Sequence, residues 1–346
     1  MDPPLELALL DRDPMRLGEL LAEQKPYFEP GTGYAYHALT FALYLDQIVR
    51  RVDHKWRSLS QYFREEIAEP FGIDINIGLP KPLQYRAARI TVDKELDLAS
   101  FDDIPGFTGN KDFLKLTFQP NIDLQKIVHI NHPDIKKLPI GSTHGFGTAQ
   151  GLAKIYGIIA NGGSLGDQRL LSPEIISKSQ IPISFGPDKV FLADILIFSI
   201  GFQLFGTVEN SDKPTFVFGH TGYGGQLGLA DTQYKVGMAY TTSFCHSDDG
   251  FIQEPERMMP VYDALMSCGN HPSNTSTANV FKGETTDSTH VPLTSPQCRQ
   301  LNQDISPSDN LMSAFTSAHI RLNIWNDMLP QRCLHVHPST SNPTET

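Results

Sequence analysis

The stretch TFVFGHTGYGGQLGLADTQYKVGMAYTT, residues 215–242, decides the fold class of this chain. It contains three short apolar runs, at residues 215–219, 226–230 and 235–242, and a fourth run at 198–205 precedes it. Gly-rich and Asp-Thr-Gln turns separate the runs, and turns this short join strands that lie antiparallel. The pattern therefore predicts an antiparallel meander of four strands.

Two helix starts ahead of this meander can be recognised from capping residues. Asp13 followed by Pro14 begins a helix that runs to about Gln24, because Asp caps the free N–H groups and Pro suits the first helical position. Ser58 and Gln61 form a capping box, which begins another helix. Both signals are local, so they indicate where the helices begin.

A further helix is predicted from about Tyr36, because apolar residues recur there at helical spacing. The residues at positions i, i+3, i+4 and i+7 are Leu45, Ile48, Val49 and Val52. An apolar stripe of this kind normally faces the interior of a globular protein. We therefore expect this stripe to face a core.

The helix after Thr148 has the clearest signal, and Asn161-Gly162-Gly163 supplies its left-handed stop. One more helix is predicted over residues 255–268, where it could cover the sheet, which makes the arrangement α+β. Residues 1–268 are predicted to form one domain. Residues 269–346 are rich in Ser, Thr, Asn and Pro, so we predict a disordered tail there.

The charge pattern excludes several partners. The net charge is −11 with a pI near 5.5, and no Lys/Arg cluster offers a footprint for nucleic acid or anionic lipid. The first thirty residues are acidic and contain no apolar run, so neither a secretory signal nor a transit peptide is predicted. Residues 190–208 are too interrupted by polar residues and glycine to predict a membrane span. The default expectation is a cytoplasmic protein.

Cysteine usage and metal-ligand spacing predict neither a disulfide framework nor a metal site. The four cysteines are Cys245, Cys268, Cys298 and Cys333. None lies in the first 244 residues, so no disulfide holds the main domain together. His335 and His337 lie near Cys333 in the Pro/Ser-rich tail, where such groupings are more often incidental than metal-binding. No cofactor motif occurs, and we expect no cofactor.

Three stretches of the chain carry a family resemblance when they are taken together. They are EPGTGYAYHA at residues 29–38, THGFGTA at 143–149 with ANGG at 160–163, and FGHTGYGG at 218–225. In this order they resemble the beta-lactamase-related serine hydrolases, the group that contains class C β-lactamases, esterases of the same fold and LACTB-like proteins. The resemblance covers about residues 5–268 and implies a partial beta-lactamase/transpeptidase-like fold.

The resemblance also implies roles for residues in two of these stretches. Tyr36 matches the family tyrosine that acts as a general base for the nucleophile, and Ala38 stands where many members have asparagine. Esterase-like members often share the Tyr-His-Ala sequence, which favours ester or peptide chemistry over β-lactam recognition.

The third stretch matches the strand that lines the family site. His220, Thr221, Gly222 and Tyr223 match this substrate-binding strand and its oxyanion donor, the backbone N–H of Tyr223. His220 replaces a lysine, so the site loses a fixed positive charge and the binding of a substrate carboxylate is disfavoured.

The family nucleophile is absent from the sequence. Relatives use the serine of a Ser-x-x-Lys motif at a helix N-terminus, ahead of Pro-Gly-Thr. No serine in this chain is followed by lysine three residues later. We therefore expect a domain that lacks its N-terminal part and is catalytically inactive. The resemblance implies that this loss exposes a sheet edge and an apolar helix surface, so that folding alone is marginal.

Two alternatives stay open from the sequence. One is a weak esterase or peptidase with another nucleophile such as Ser142, although Ser142 has no neighbouring lysine. The other is an interaction module that pairs through the exposed sheet edge with itself or with a full-length relative. In either case the small-molecule partner would be an ester, amide or peptide.

Overall fold

A computed structural model describes residues 9–92, 110, 112–113, 130–184, 187–190, 197–207, 215–245 and 321–325. The α-helices in this part are α1 Leu9–Arg12, α2 Pro14–Ala22, α3 Phe41–Val52, α4 Leu59–Tyr62, α5 Glu69–Phe71, α6 Pro133–Lys136, α7 Ala149–Ala160 and α8 Pro173–Lys178. The strands are β1 Ile75–Ile77, β2 Thr91–Val92, β3 Gly145–Gly147, β4 Ser164–Leu165, β5 Gln168–Arg169, β6 Gln203–Thr207, β7 Thr215–Gly222, β8 Gln226–Asp231, β9 Val236–Thr241, β10 Phe244–Cys245 and β11 Arg321–Trp325. A π-helical turn, Phe63–Ala68, and a 3-10 helix, Lys81–Arg86, complete the helical structure of these residues.

The central sheet has five antiparallel strands in the order β11-β9-β8-β7-β6. Strands β6 to β9 form the predicted meander, and the α+β class is confirmed. The first of these strands begins at Gln203 instead of Phe198, which forms only an isolated bridge with Gln203. Gly201 adopts a φ of 86° between them, and this left-handed residue interrupts the extended chain.

Strand β11 forms one edge of the central sheet. Residues 321–325 belong to the segment that was predicted to be disordered, yet they pair with β9 from Trp325 opposite Gly237 to Arg321 opposite Thr241. They therefore occupy the edge of β9 that faces away from β8, while the disordered tail stays a prediction for the residues on either side of β11. The physical reason is that an open strand edge presents unpaired N–H and C=O groups, and any extended segment that reaches it gains these hydrogen bonds.

Helix α7 lies on the central sheet, in the place that its strong periodicity predicted. Its residues Ile159 and Ala160 share an apolar core with Phe218 of β7 and Ala230 of β8. The helix approaches the sheet closely, because a methyl group added at Gly237 of β9 would lie 1.9 Å from the backbone nitrogen of Gly157. This close approach anchors the sheet that carries the site.

The predicted helix starts at Asp13 and Ser58 are confirmed. The Asp13 carboxylate accepts a hydrogen bond from the backbone N–H of Arg16, and Ser58 and Gln61 form the reciprocal capping box. The helical segment after Ser58 continues past Pro70 and ends at Gly72, which adopts a left-handed conformation. Capping chemistry is local, which is why the sequence was sufficient to predict it.

The prediction for α3 is wrong in orientation. The residues that it buries are Ala42, Leu43, Asp46 and Gln47. Ile48 and Val52, from the stripe that was expected to face a core, are 56% and 76% exposed. Polar contacts hold the helix in this orientation, since Asp46 accepts from Arg50 and from the backbone of Leu59.

The predicted helix at residues 255–268 lies outside the described residues, as does the tail apart from β11. The domain boundary at residue 268 therefore stays a prediction.

Candidate active site

Three aromatic rings from distant parts of the sequence meet at one end of the central sheet. The ring centroids of Tyr36 and Phe198 are 6.1 Å apart with nearly parallel planes, and those of Tyr36 and His220 are also 6.1 Å apart. The Phe198 and His220 centroids are 6.2 Å apart. The structure thus brings together Tyr36 and His220, the two side chains that the sequence motifs had singled out separately.

Tyr36 lies in the segment that leads into α3. The same segment is held by a hydrogen bond from the backbone N–H of Lys189 to the carbonyl oxygen of Tyr34, and by a bond between His37 Nδ1 and Thr40 Oγ1. Burial raises the pKa of the Tyr36 phenol, and the negative charge of Asp188 raises it further. The phenol therefore keeps its proton at neutral pH, and the role of Tyr36 as a general base stays a prediction.

His220 stands near the end of β7. Its Nδ1 donates a hydrogen bond to the carbonyl oxygen of Thr221, which assigns the ring hydrogen to Nδ1. Burial lowers the pKa of His220, and the hydrogen bond to Thr221 only partly opposes this. The imidazole is therefore neutral at pH 7, and this position supplies no fixed positive charge.

The rest of the predicted substrate-binding strand follows His220 directly. The Thr221 hydroxyl donates to Gln203 Oε1 at 3.2 Å, which ties β7 to β6. Gly222 ends β7, and the turn that follows contains Tyr223. Gly224 adopts a φ of 80°, and a side chain there would meet Cys245. The turn is thus fixed in position, while the role of the Tyr223 N–H as an oxyanion donor stays a prediction.

Ser142, the alternative nucleophile, has its hydroxyl engaged in structure. Ser142 Oγ donates to the carbonyl oxygen of Leu39 and accepts from the backbone N–H of Ala42, both at 3.0 Å. A serine nucleophile needs a base that takes its proton, and here that proton is directed to a carbonyl. The nearby His144 bonds through Nδ1 to Thr143 instead. Ser142 therefore ties its loop to the start of α3.

Two residues of this site were missed by sequence reasoning. Phe198 was assigned to a strand, and Asp188 received no role at all. Asp188 is fully buried and accepts a hydrogen bond from the backbone N–H of Val190. Neither residue belongs to a motif with fixed spacing, so no sequence signal indicated that they approach Tyr36.

Within the described part of the chain, no group of three or more His, Cys, Asp or Glu side chains could hold a metal ion. In the same part, none of the helices combines the length and apolar character needed to cross a bilayer.

Comparisons with known proteins agree with the motif resemblance. A family model described as Beta-lactamase matches residues 3–260. An esterase/beta-lactamase from Mycobacterium tuberculosis, LipL, is 30% identical over 218 residues, which are 59% of this chain and 47% of that protein. The chain therefore spans about half the length of this curated relative.

Solved structures show the same likeness. A family VIII carboxylesterase has 31% identity and a TM-score of 0.56, with 68% of this chain and 59% of that chain covered. EstA from Arthrobacter nitroguajacolicus Rue61a has 25% identity and a TM-score of 0.54, with coverage of 71% and 63%. A penicillin-binding protein homologue from Caulobacter crescentus, at 24% identity and a TM-score of 0.54, shares the fold. The match covers 74% of this chain and 63% of that protein.

Proposed function

The chain belongs to the beta-lactamase family, and from that premise we propose that it carries the Tyr36 and His220–Tyr223 walls of a serine-hydrolase site without the nucleophile. On this proposal the 346-residue chain does not hydrolyse substrates by itself. The contact between the Tyr36 and His220 rings is the observation that carries the proposal, because it assembles two family motifs that lie far apart in sequence.

The electrostatics of the ring cluster support the proposed inactivity. In acyl transfer, a base takes the proton of the attacking hydroxyl while backbone N–H groups stabilise the oxyanion. Tyr36 could take that proton only as a phenolate, and its pKa is raised. A lysine one turn after the nucleophile would stabilise the phenolate by its charge, but no Ser-x-x-Lys occurs in the sequence.

The substrate class that fits these walls is an uncharged ester or amide. His220 is neutral at pH 7 because burial lowers its pKa, so it offers no ion pair to a substrate carboxylate. The rings of Tyr36 and Phe198 add apolar surface beside it. Both features favour small esters, amides or capped peptides over β-lactams, whose recognition uses their carboxylate.

A turnover assay tests the proposal. Purified chain would be incubated with a short-chain p-nitrophenyl ester and with nitrocefin, beside its Tyr36→Phe variant and the family VIII carboxylesterase as a positive control. We expect no turnover above the buffer blank for this chain or its variant. Turnover that is lost in Tyr36→Phe would contradict the proposal, because it would require a nucleophile within these residues.

The second candidate function is an interaction module. Its basis here is a different surface from the sheet edge that the sequence suggested. Pairing through the edge of β9 is disfavoured because β11 already occupies that edge. An interaction through the helical side is favoured instead by the exposed apolar residues of α3.

A further inference from the structure

Three exposed isoleucines lie on two short segments that the structure joins beside the candidate active site. They are Ile181, Ile183 and Ile200, which are 57%, 58% and 54% exposed. We call these three side chains the isoleucine rim. Single exposed apolar residues are common on protein surfaces, but a group of them beside a site is typical of a surface that binds a ligand.

Hydrogen bonds join the two segments at Phe198. The carbonyl oxygen of Phe198 accepts from the backbone N–H of Ile183 at 2.8 Å, and the backbone N–H of Phe198 donates to Ser184 Oγ at 2.7 Å. Phe198 is also the residue whose ring meets those of Tyr36 and His220 in the ring cluster of the site. Ile183 is therefore bonded directly to a residue that forms the wall of the site.

The side chains of residues 197–200 alternate between two environments, as they do in an extended chain. Ile197 packs against the apolar core that α7 shares with the central sheet, and Ser199 is buried. The ring of Phe198 lies in the ring cluster instead, and Ile200 is exposed. Ile200 thus shares one face of this segment with the ring that lines the site.

The surroundings of the isoleucine rim are uncharged. The two segments have the sequences IPIS at residues 181–184 and IFSI at residues 197–200, so neither contains a charged side chain. In the ring cluster, burial lowers the pKa of His220, so its imidazole is neutral at pH 7. An alkyl chain gains free energy on such a surface by leaving water, whereas an ionic group would lose hydration without gaining a partner.

We propose that the isoleucine rim binds the acyl chain of an ester whose carbonyl group lies at the ring cluster, which makes medium-chain fatty acid esters the substrate class of this site. This inference rests on the proposed function, because it takes the ring cluster as the wall of the site. Ile183 and Ile200 set the preference for chain length. A chain of acetate length ends at the rings, whereas a longer chain reaches the rim and buries apolar surface there.

The experiment measures the binding of methyl acetate and methyl hexanoate to the full 346-residue chain by saturation-transfer NMR titration. The unchanged chain is compared with Ile183→Thr/Ile200→Thr, which keeps the β-branched shape and removes most of the apolar surface of both side chains. The matched control is Ile48→Thr/Val52→Thr on α3, where the residues are 56% and 76% exposed. Thermal melting verifies that all three chains fold.

We expect the unchanged chain and the control to bind methyl hexanoate about tenfold more tightly than methyl acetate, because each methylene that leaves water strengthens binding. In Ile183→Thr/Ile200→Thr this ratio should fall to about threefold or less. The inference would be overturned by equal affinity of the unchanged chain for both esters, by no binding of either ester, or by the same ratio in Ile183→Thr/Ile200→Thr and the control.

Methanol release in the same samples separates this inference from the proposed function. A chain-length preference that is lost in Ile183→Thr/Ile200→Thr, without methanol release, supports both. The same loss together with methanol release supports the isoleucine rim and contradicts the proposed inactivity. No chain-length preference and no methanol release overturns the rim inference and leaves the proposed inactivity supported.

Discussion

Helices α3 and α7 have the same length, 12 residues, but they are buried in opposite ways. Helix α7 buries seven residues, all of them apolar or glycine. Helix α3 buries four, of which Asp46 and Gln47 are polar, while Ile48 and Val52 face solvent. Among the described residues, other elements therefore pack on most of the surface of α7, whereas they pack on only one side of α3.

The neighbours of each helix explain this difference. Helix α7 lies between the central sheet and the segment that contains Phe71 and Ile73, which pack against its Ile158. Helix α3 contacts α2 and the loop at Ser142 through its buried side. An amphipathic helix is stabilised mainly by burial of its apolar face, so α7 should contribute far more to stability than α3 in this chain.

Truncating a matched isoleucine in each helix should give the largest contrast. Ile158 is fully buried in α7, and Ile158→Ala should lower the free energy of unfolding by about 4 kcal/mol through lost burial and a cavity. Ile48→Ala, at a 56% exposed position in α3, should change it by less than about 0.5 kcal/mol. Urea denaturation measures both. Equal losses would mean that α3 is buried in solution.

The close contact between α7 and β9 should be nearly as sensitive. Gly237→Ala would place a methyl group 1.9 Å from the backbone nitrogen of Gly157, so the helix must shift away from the sheet. We expect a loss of about 3 kcal/mol in the same assay. Gly145→Ala is the control, because no atom lies within 4 Å of the added methyl group, and it should have little effect. A tolerated Gly237→Ala would contradict the packing of α7 described here.

The free energy of unfolding should depend on pH because of His144, which lies between α3 and α7 in the sequence. His144 is fully buried, its Nε2 has no hydrogen-bond partner among the residues that the structure describes, and burial lowers its pKa from 6.5 to about 4. Above pH 6.5 the imidazole is neutral in both states. As the pH falls towards 4, the unfolded chain takes up a proton that the folded chain does not, so stability falls.

The size of this effect follows from the two pKa values. Each tenfold difference in proton affinity corresponds to about 1.4 kcal/mol, so the loss should be about 3 kcal/mol. This loss is measured by comparing the free energy of unfolding at pH 7 and at pH 4. In His144→Gln the loss should be absent. His54→Gln, whose side chain is 82% exposed, is the control and should keep the full pH dependence. The same pH profile in His144→Gln and the unchanged chain would refute this assignment.

The smallest expected effect concerns the start of α7. Thr148 Oγ1 accepts a hydrogen bond from the backbone N–H of Gly151, whereas Thr40 at the start of α3 makes no such capping bond. Thr148→Ala should cost about 1 kcal/mol in the free energy of unfolding, and Thr148→Ser should restore most of it. No difference between the two substitutions would show that the cap is not a stabilising contact.

The sequence predicted features that depend on neighbouring residues. The caps at Asp13 and Ser58 and the strands of the meander are set by local chemistry, and they are confirmed. The contact between Tyr36 and His220 was indicated by family motifs. The position of Phe198 was not, because a contact between distant segments leaves no spacing to recognise.

The prediction for the stripe of α3 was wrong for a reason that sequence periodicity does not contain. Periodicity identified the stripe that contains Ile48 and Val52, but it could not show what the stripe faces. Ile48 and Val52 are 56% and 76% exposed, while the implied exposure of a helix surface by a missing segment stays a prediction. Strand β11 lies in the segment whose composition predicts disorder, and its pairing with β9 could not be predicted, since composition carries no information on contacts with a distant strand.

The most direct test of the central claim is the intact mass of the 346-residue chain after incubation with a fluorophosphonate. The claim is that the site walls are present without a nucleophile. We predict that the mass is unchanged, while the carboxylesterase in the same mixture gains one adduct. A single adduct on this chain that maps to Ser142 and disappears in Ser142→Ala would contradict the claim.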